Sequence, residues 1–305
     1  MHISVLLKES IDNLNLKEDS VIVDATLGRA GHSSEILKKI KNGMLIAFDQ
    51  DEEAINESDK KLSKIASNYT IIKSNFKNIK EELNKRGITS VDGILFDLGV
   101  SSPQLDEDYR GFSFHKDAKL DMRMDQTQEL TAYKVVNEYP EDKLVKIFYE
   151  YGEEKFAKKI AHAIVEYRKE KNIDTTLELV EIIKSAVPEK YKREKHPARK
   201  VFQAIRIEVN NELEVLKIAL KDSLELLDKN GRICVITFHS LEDKIVKEMF
   251  NEVSKMDDNL KGLPFIPDEY QKEFKIINTI KPSKKELEEN SRARSSKLRV
   301  IEKIK

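Results

Sequence analysis

Apolar positions along the chain follow two rhythms, and the change between them falls near residue 103. Through the first hundred residues, short β-branched runs alternate with helical patterns. Residues 21–27 (VIVDATL), 44–48, 69–73 (YTIIK) and 91–98 (VDGILFDL) predict strands. Between them, 33–40, 52–65 and 76–85 predict helices, the second with Ala54, Ile55, Leu62 and Ile65 at helical spacing. Alternation at this rhythm predicts a parallel sheet with right-handed crossovers. From Gln104 to Pro197 the strand pattern disappears. Four amphipathic stretches at 129–139, 141–151, 153–169 and 175–186 follow one another, punctuated by Pro140, Gly152 and Pro188. The first rhythm then returns, with one long helix across 199–227, a strand at 232–238 (RICVITF) and a helix at 241–250. A loop holding Gly262, Pro264 and Pro267 leads to strands at 274–280 and 297–304. The expectation is one α/β domain built from residues 1–103 and 198–305, interrupted by an all-helical insertion at 104–197.

Composition narrows the class. At 305 residues, with 39% hydrophobic and 36% charged positions, the chain can bury a large core and is not disordered. Lys+Arg 54 against Asp+Glu 55 leaves a net charge of −1, so no global polycation announces a nucleic-acid partner. No apolar stretch approaches the ~18–20 residues of a membrane span, and the opening MHISVLLKESIDNL lacks the basic start and cleavage site of a secretory signal. Cys234 stands alone, so no internal disulfide forms. These features predict a cytoplasmic protein with no membrane partner; the oligomeric state is left open.

Gly28 and Gly31 lie between the first strand and its helix, in VDATLGRAGHSSEIL, where an open parallel sheet places its ligands. Asp49 ends the second strand 21 residues after Gly28, the spacing of a carboxylate that takes both hydroxyls of a ribose. A nucleoside cofactor follows. A dinucleotide prefers three close glycines, and here Ala30 fills the third position while Arg29 and His32 crowd the turn. Asp24 and Asp97, at the ends of the first and fourth strands, repel a pyrophosphate and attract the ammonium and sulfonium of S-adenosylmethionine. A turn-capping role for Asp24 and a nicotinamide-type oxidoreductase stay open at this point.

From VDGILFDLGVSSPQLD the chain resembles the ribosomal RNA small-subunit methyltransferase H family (RsmH, also called MraW). VDATLGRAGHS before it carries the same likeness, as do RGFSF, LDMRMD, HPARKVFQAIRIEVNNEL, FHSLED and RARSSKLR after it, so that nearly the whole chain is covered. The resemblance implies a Rossmann-like class I methyltransferase sheet with an inserted all-helical domain that serves RNA recognition. It implies transfer of a methyl group from S-adenosylmethionine to the exocyclic N4 amine of a decoding-centre cytidine in bacterial 16S rRNA, within the small ribosomal subunit. Carried onto this sequence, the cofactor contacts are Ala30, Gly31 and His32 at the first turn, Asp49 at the ribose, Phe76 beside the adenine, and Asp97 and Gln104 at the methionine end. Alanine at positions 25 and 30, where the family commonly has glycine, requires Ala30 to sit at negative φ or to accept modest strain.

The chemistry assigns Asp97 as the acceptor for the amine hydrogens, with Ser101, Ser102 and Gln104 as polar neighbours. Phe112 or Phe114 is the candidate clamp for the base, packing in the insertion core being the alternative. C5 methylation needs a reactive thiolate, and Cys234 lies mid-strand, where cysteine is ordinary packing. Seven basic residues between 190 and 206 stand against Glu194, and six between 291 and 305 against Glu302. Such clusters neutralise phosphates, although in so charged a chain they also make ordinary solvated faces. His239 in FHSLED sits either where substrate enters or as a helix cap. The six histidines show no metal-ligand spacing, and no metal is expected. A non-catalytic RNA-binding factor on the same fold is the remaining alternative.

Overall fold

The protein is described here by a computed structural model over residues 4–100, 108–194, 196–256 and 271–305. It divides into two compact units, Met1–Gly99 with Leu213–Lys305, and Val100–Glu212.

The first unit is built on a seven-stranded sheet. Its strands are β1 (Val21–Asp24), β2 (Met44–Asp49), β3 (Tyr69–Lys73), β4 (Val91–Asp97), β5 (Leu227–Thr237), β6 (Phe274–Ile280) and β7 (Lys297–Lys303). Their order across the sheet is β3-β2-β1-β4-β5-β7-β6. The first five are parallel, and β7 runs antiparallel between β5 and β6. Strands buried on both faces need apolar residues at every position, and the central ones supply them. Val23, Ile46, Phe48, Ile94, Phe96, Ile233 and Val235 pack on one face, and Ile22, Leu45, Ala47, Leu95, Cys234 and Ile236 on the other. The α/β, Rossmann-like expectation holds. After β3 the chain returns to the middle of the sheet and lays β4 on the other side of β1, so the order reverses between β1 and β4. That crevice, at the carboxyl ends of the strands, is where such sheets bind ligands.

The second unit is helical, with helices Ala132–Glu138, Glu141–Glu150, Ala157–Glu170, Thr176–Ala186, Glu189–Glu194 and Ala198–Asn210. The helix expected over 199–227 is two helices. Asn211 takes a left-handed conformation (φ 49°) and caps the first, and a second runs Glu212–Leu226. Asparagine tolerates that geometry better than other side chains, so the Asn-Asn pair is where the helix ends. The first half buries Val201, Phe202, Ile205 and Val209 against the helical core. The unit therefore reaches to Glu212, whereas the sequence pattern put its end at 197. Short helices at Leu7–Asn13 and Lys284–Glu289 carry too few turns to mark the sequence. Among the described residues no helix is long and apolar enough to cross a membrane.

Candidate active site

The carboxyl ends of β1, β2 and β4 bring three aspartates to one edge of the sheet. Asp24 closes β1 with 1% of its surface exposed. It accepts the Ser33 hydroxyl at 2.6 Å and the Thr26 N–H at 3.1 Å. The capping role left open from sequence is thus real, and the capping acid is buried. Burial raises the Asp24 pKa against the lowering pull of those bonds.

The turn from 24 to 31 is held from several sides. Leu27 N–H donates to the Phe48 carbonyl at 2.9 Å, Ser58 Oγ to the Gly28 carbonyl at 2.8 Å, and Gly28 N–H to Asp49 Oδ2 at 2.9 Å. Gly28 needs its φ of +49°, since a Cβ there would have open room. Ala30 takes φ 52°, so of the two options the sequence allows, the chain adopts the strained one. Gly31 is glycine for a different reason. A Cβ on it would lie 1.8 Å from Ser4 Oγ, so the N-terminal segment fills that space.

Asp49 has one oxygen on Gly28 and the other on Asp51 N–H, each at 2.9 Å. Burial pushes its pKa up to about 6, against these bonds. Each oxygen keeps a second lone pair, which suffices for a ribose diol. Phe76 opens the short turn after β3 and meets Phe96 edge-on at 5.6 Å. The ring is half-buried, with one side packed and the rest available to a flat ligand.

Asp97 ends β4 at the point of strand-order reversal. Its N–H donates to Thr26 Oγ1 at 2.6 Å, and its Oδ2 lies 3.6 Å from His32 Nδ1, beyond a hydrogen bond. Oδ1 is buried with no hydrogen-bond partner among the described residues. Burial first, then the charges of Asp24 and Glu242, drive the Asp97 pKa up to about 8. His32 is 5% exposed, and burial lowers its pKa to about 4, so it stands neutral beside Asp97 at neutral pH. Gln104, Ser101 and Ser102 lie outside the described residues.

Three contributors escaped the sequence reading. Thr26 and Ser33 fix the backbone of Asp97 and the carboxylate of Asp24. Glu242, 3% exposed, completes a capping box with His239 at the start of helix Ser240–Ser254 and adds its charge to the group around Asp97. The spacing His-Ser-Leu-Glu carried that signal. His239 accordingly serves as a cap. Both basic clusters are partly consumed by structure. Arg206 makes a bidentate pair with Glu212 (2.8 Å each), Lys192 pairs with Glu189, and Lys297 and Arg299 hold Asp243.

A family model described as the MraW methylase family matches residues 1–304. The chain belongs to the MraW methylase family. Solved structures with a similar path include a putative rRNA methylase from Clostridium thermocellum, at 16% identity over 100% of both chains and a TM-score of 0.46. An rRNA methylase from Streptococcus thermophilus follows at 13% identity over 98% of this chain and 94% of that one, TM-score 0.44. A putative methyltransferase from Streptococcus mutans, solved with S-adenosylhomocysteine, has 15% identity over 99% of each chain, TM-score 0.44.

The cofactor of this methylase is S-adenosylmethionine. The residues present suit it. Asp97 Oδ1 is a buried acceptor with no hydrogen-bond partner among the described residues, and the acids beside it favour a cationic ligand over an anionic one.

Proposed function

We propose that the chain methylates the exocyclic N4 amine of a decoding-centre cytidine in 16S rRNA, acting on the small ribosomal subunit. The observation that carries this reading is the unsatisfied Asp97 oxygen at the reversal point of the sheet, in a chain of this family. When bound, S-adenosylmethionine supplies a methyl group activated for displacement by its sulfonium.

The protein's own residues do the rest. Asp49 takes the ribose hydroxyls on its two remaining lone pairs, and Phe76 covers the adenine. The backbone at Ala30, Gly31 and His32, held by Asp24 and its neighbours, borders the methionine portion, with Gln104 assigned to the same end by resemblance. A cytosine amine is a weak nucleophile because its lone pair is delocalised into the ring, so alignment carries most of the acceleration; holding two reactants in place is worth ~7–11 kcal/mol. Asp97 Oδ1 accepts an amine hydrogen and takes the proton that leaves as the nitrogen–carbon bond forms. A carboxylate whose free-protein pKa is about 8 is a stronger base than an ordinary aspartate, which suits that role. Covalent catalysis through cysteine is disfavoured, because Cys234 is fully buried in β5 and burial pushes its thiol up to about 12.

The test is transfer of a labelled methyl group from S-adenosylmethionine to small subunits from cells lacking the protein, with nucleoside analysis of the product. N4-methylcytidine in 16S rRNA supports the proposal. Label in another nucleoside overturns the N4 target.

A further inference from the structure

The helical unit carries a group of aromatic rings around Phe114, one of the two phenylalanines that the sequence offers as a clamp for a base. His196 lies against Phe114 with ring centroids 4.6 Å apart and planes 27° from parallel. His115 meets the same phenyl ring at 4.4 Å, tilted by 49°, and the two imidazoles are 5.3 Å apart. Phe202, on helix Ala198–Asn210, touches Phe114 edge-on at 5.7 Å and ties the group to the core of the unit. On its other side the group reaches solvent, since His115 is exposed and Phe114 and His196 are half-buried.

Rings recruited only to fill a core end up buried, and one exposed aromatic needs no explanation. Three mutually packed rings that keep surface in water form a platform that another flat ring can extend. The charge around it is mostly positive. Lys116 follows His115 directly and Arg199 stands one turn into the helix after His196; both are exposed. Lys184 lies close enough to disfavour the charged form of His196 and is itself paired with Glu181 at 2.7 Å, while exposed Asp117 follows Lys116 in the chain. Aromatic rings interleaved with cations are what unpaired nucleic-acid strands bind, the rings stacking on bases and the cations facing phosphates. A duplex offers no free base face to such a platform.

The geometry points to a nucleobase-stacking site on Phe114, His115 and His196 that takes an unpaired base of a single-stranded RNA segment, with Lys116, Lys184 and Arg199 facing the adjoining phosphates. The inference rests on the RNA-methylation reading above, and adds to it a second anchoring point for the substrate strand.

The test uses the full chain and a short single-stranded oligoribonucleotide carrying 2-aminopurine, whose fluorescence is quenched by stacking, with the matching duplex for comparison. The wild-type protein quenches the single strand on binding and binds the duplex more weakly. His115→Ala, a surface change that leaves the core intact, weakens single-strand binding roughly 5- to 100-fold and removes most of the quench. His115→Tyr keeps a ring and restores both. Lys116→Ala keeps the quench and lowers the salt dependence of log affinity by about one. Binding without quench by the wild type overturns the inference, as does unchanged affinity and quench in both His115→Ala and His196→Ala. The methyl-transfer assay keeps the two readings apart. Normal formation of N4-methylcytidine with no quench removes the stacking site alone, whereas quench that His115→Ala abolishes, with no transfer to cytidine, removes the target and leaves the stacking site standing.

Discussion

Asp97→Asn separates what the carboxylate costs the free protein from what it contributes to binding. In the folded chain the group's pKa is raised to about 8, against an ordinary carboxylate value of 3.8. The folded state therefore binds this proton more tightly than the unfolded state does. The stability it contributes is complete below about pH 4 and is lost as pH rises toward 8. At ~1.4 kcal/mol per pKa unit, the full displacement corresponds to on the order of 5 kcal/mol above pH 8. The side chain keeps 26% of its surface exposed, so solvent screens part of that. A working figure is about half, or ~2–3 kcal/mol. Asparagine has the shape of the protonated acid and no charge to desolvate. The variant should melt near the wild type in mild acid and about 5 °C higher at pH 9, with the gap opening between pH 4 and 8. With S-adenosylmethionine present the order reverses, because only the carboxylate gains from the cation. Loss of that charge-assisted contact costs roughly 10- to 100-fold in affinity, and less for S-adenosylhomocysteine, whose sulfur is neutral. Thermal melts at pH 5, 7 and 9, with and without each ligand, read both effects. A melting difference independent of pH, or an asparagine variant less stable at pH 9, refutes the argument that burial and the neighbouring acids strain Asp97.

Three further substitutions probe other parts of the structure. Ala30→Gly relieves a left-handed alanine and should raise stability by about 1 kcal/mol in a denaturant titration without reducing methyl transfer; a loss of stability would show that φ 52° costs nothing there. Gly31→Ala puts a Cβ against Ser4 Oγ and should lower the melting temperature and weaken cofactor binding by calorimetry. Ser4→Gly in the same chain should recover most of both, and failure to do so would place the fault elsewhere. Asn211→Ala should destabilise by about 1 kcal/mol while Asn211→Gly is near neutral, because only alanine pays for the left-handed cap; equal melting curves for the two would remove that explanation of the helix break.

The strands of the first unit were legible because each is a short run bounded by turn residues, and because β-branched and apolar residues fill both faces. Val23, Ile46 and Ile94 needed no tertiary information to be placed inside. Acids at strand ends were legible for the same reason, since a carboxylate breaking an apolar run marks where the run meets solvent or ligand. The break at Asn211 was missed because its flanks share one helical period, so the apolar spacing continues across it while one residue's φ changes sign. Thr26 and Ser33 were missed because they bond to Asp97 and Asp24, 71 and 9 positions away, and Glu242 because it acts electrostatically on Asp97 from still further along the chain. No local pattern encodes those pairings. For His239 the sequence left two readings open, and the structure decides between them. His239 looks like a substrate-facing group by position, and only the bond from Glu242 N–H to its Nδ1 identifies it as a cap.

The cost of this site explains the shape of its surroundings. Asp24, Asp97 and Glu242 are drawn together at the one place in the sheet where two adjacent strands send their chains in opposite directions. A fold selected for stability alone would put neutral side chains there, since buried carboxylates with raised pKa values oppose folding at neutral pH. Among the described residues, that cost is limited by hydrogen bonds to Asp24 and Glu242, while the Asp97 carboxylate has none. Asp24 is bonded to Ser33 and Thr26, Glu242 takes the N–H groups of Phe238 and His239, and Asp97 is left with Oδ1 open. In the free protein the raised pKa favours the protonated acid at neutral pH, and in the proposed complex the cofactor's positive charge would favour the carboxylate. Ligand binding and proton release are then one event, so affinity for S-adenosylmethionine rises with pH up to about 8 and levels off beyond it. The product's neutral sulfur would favour the ionised acid less than the sulfonium does, so Asp97 would more readily keep the proton taken from the amine. The same group that strains the empty fold thus favours substrate over product in the pocket.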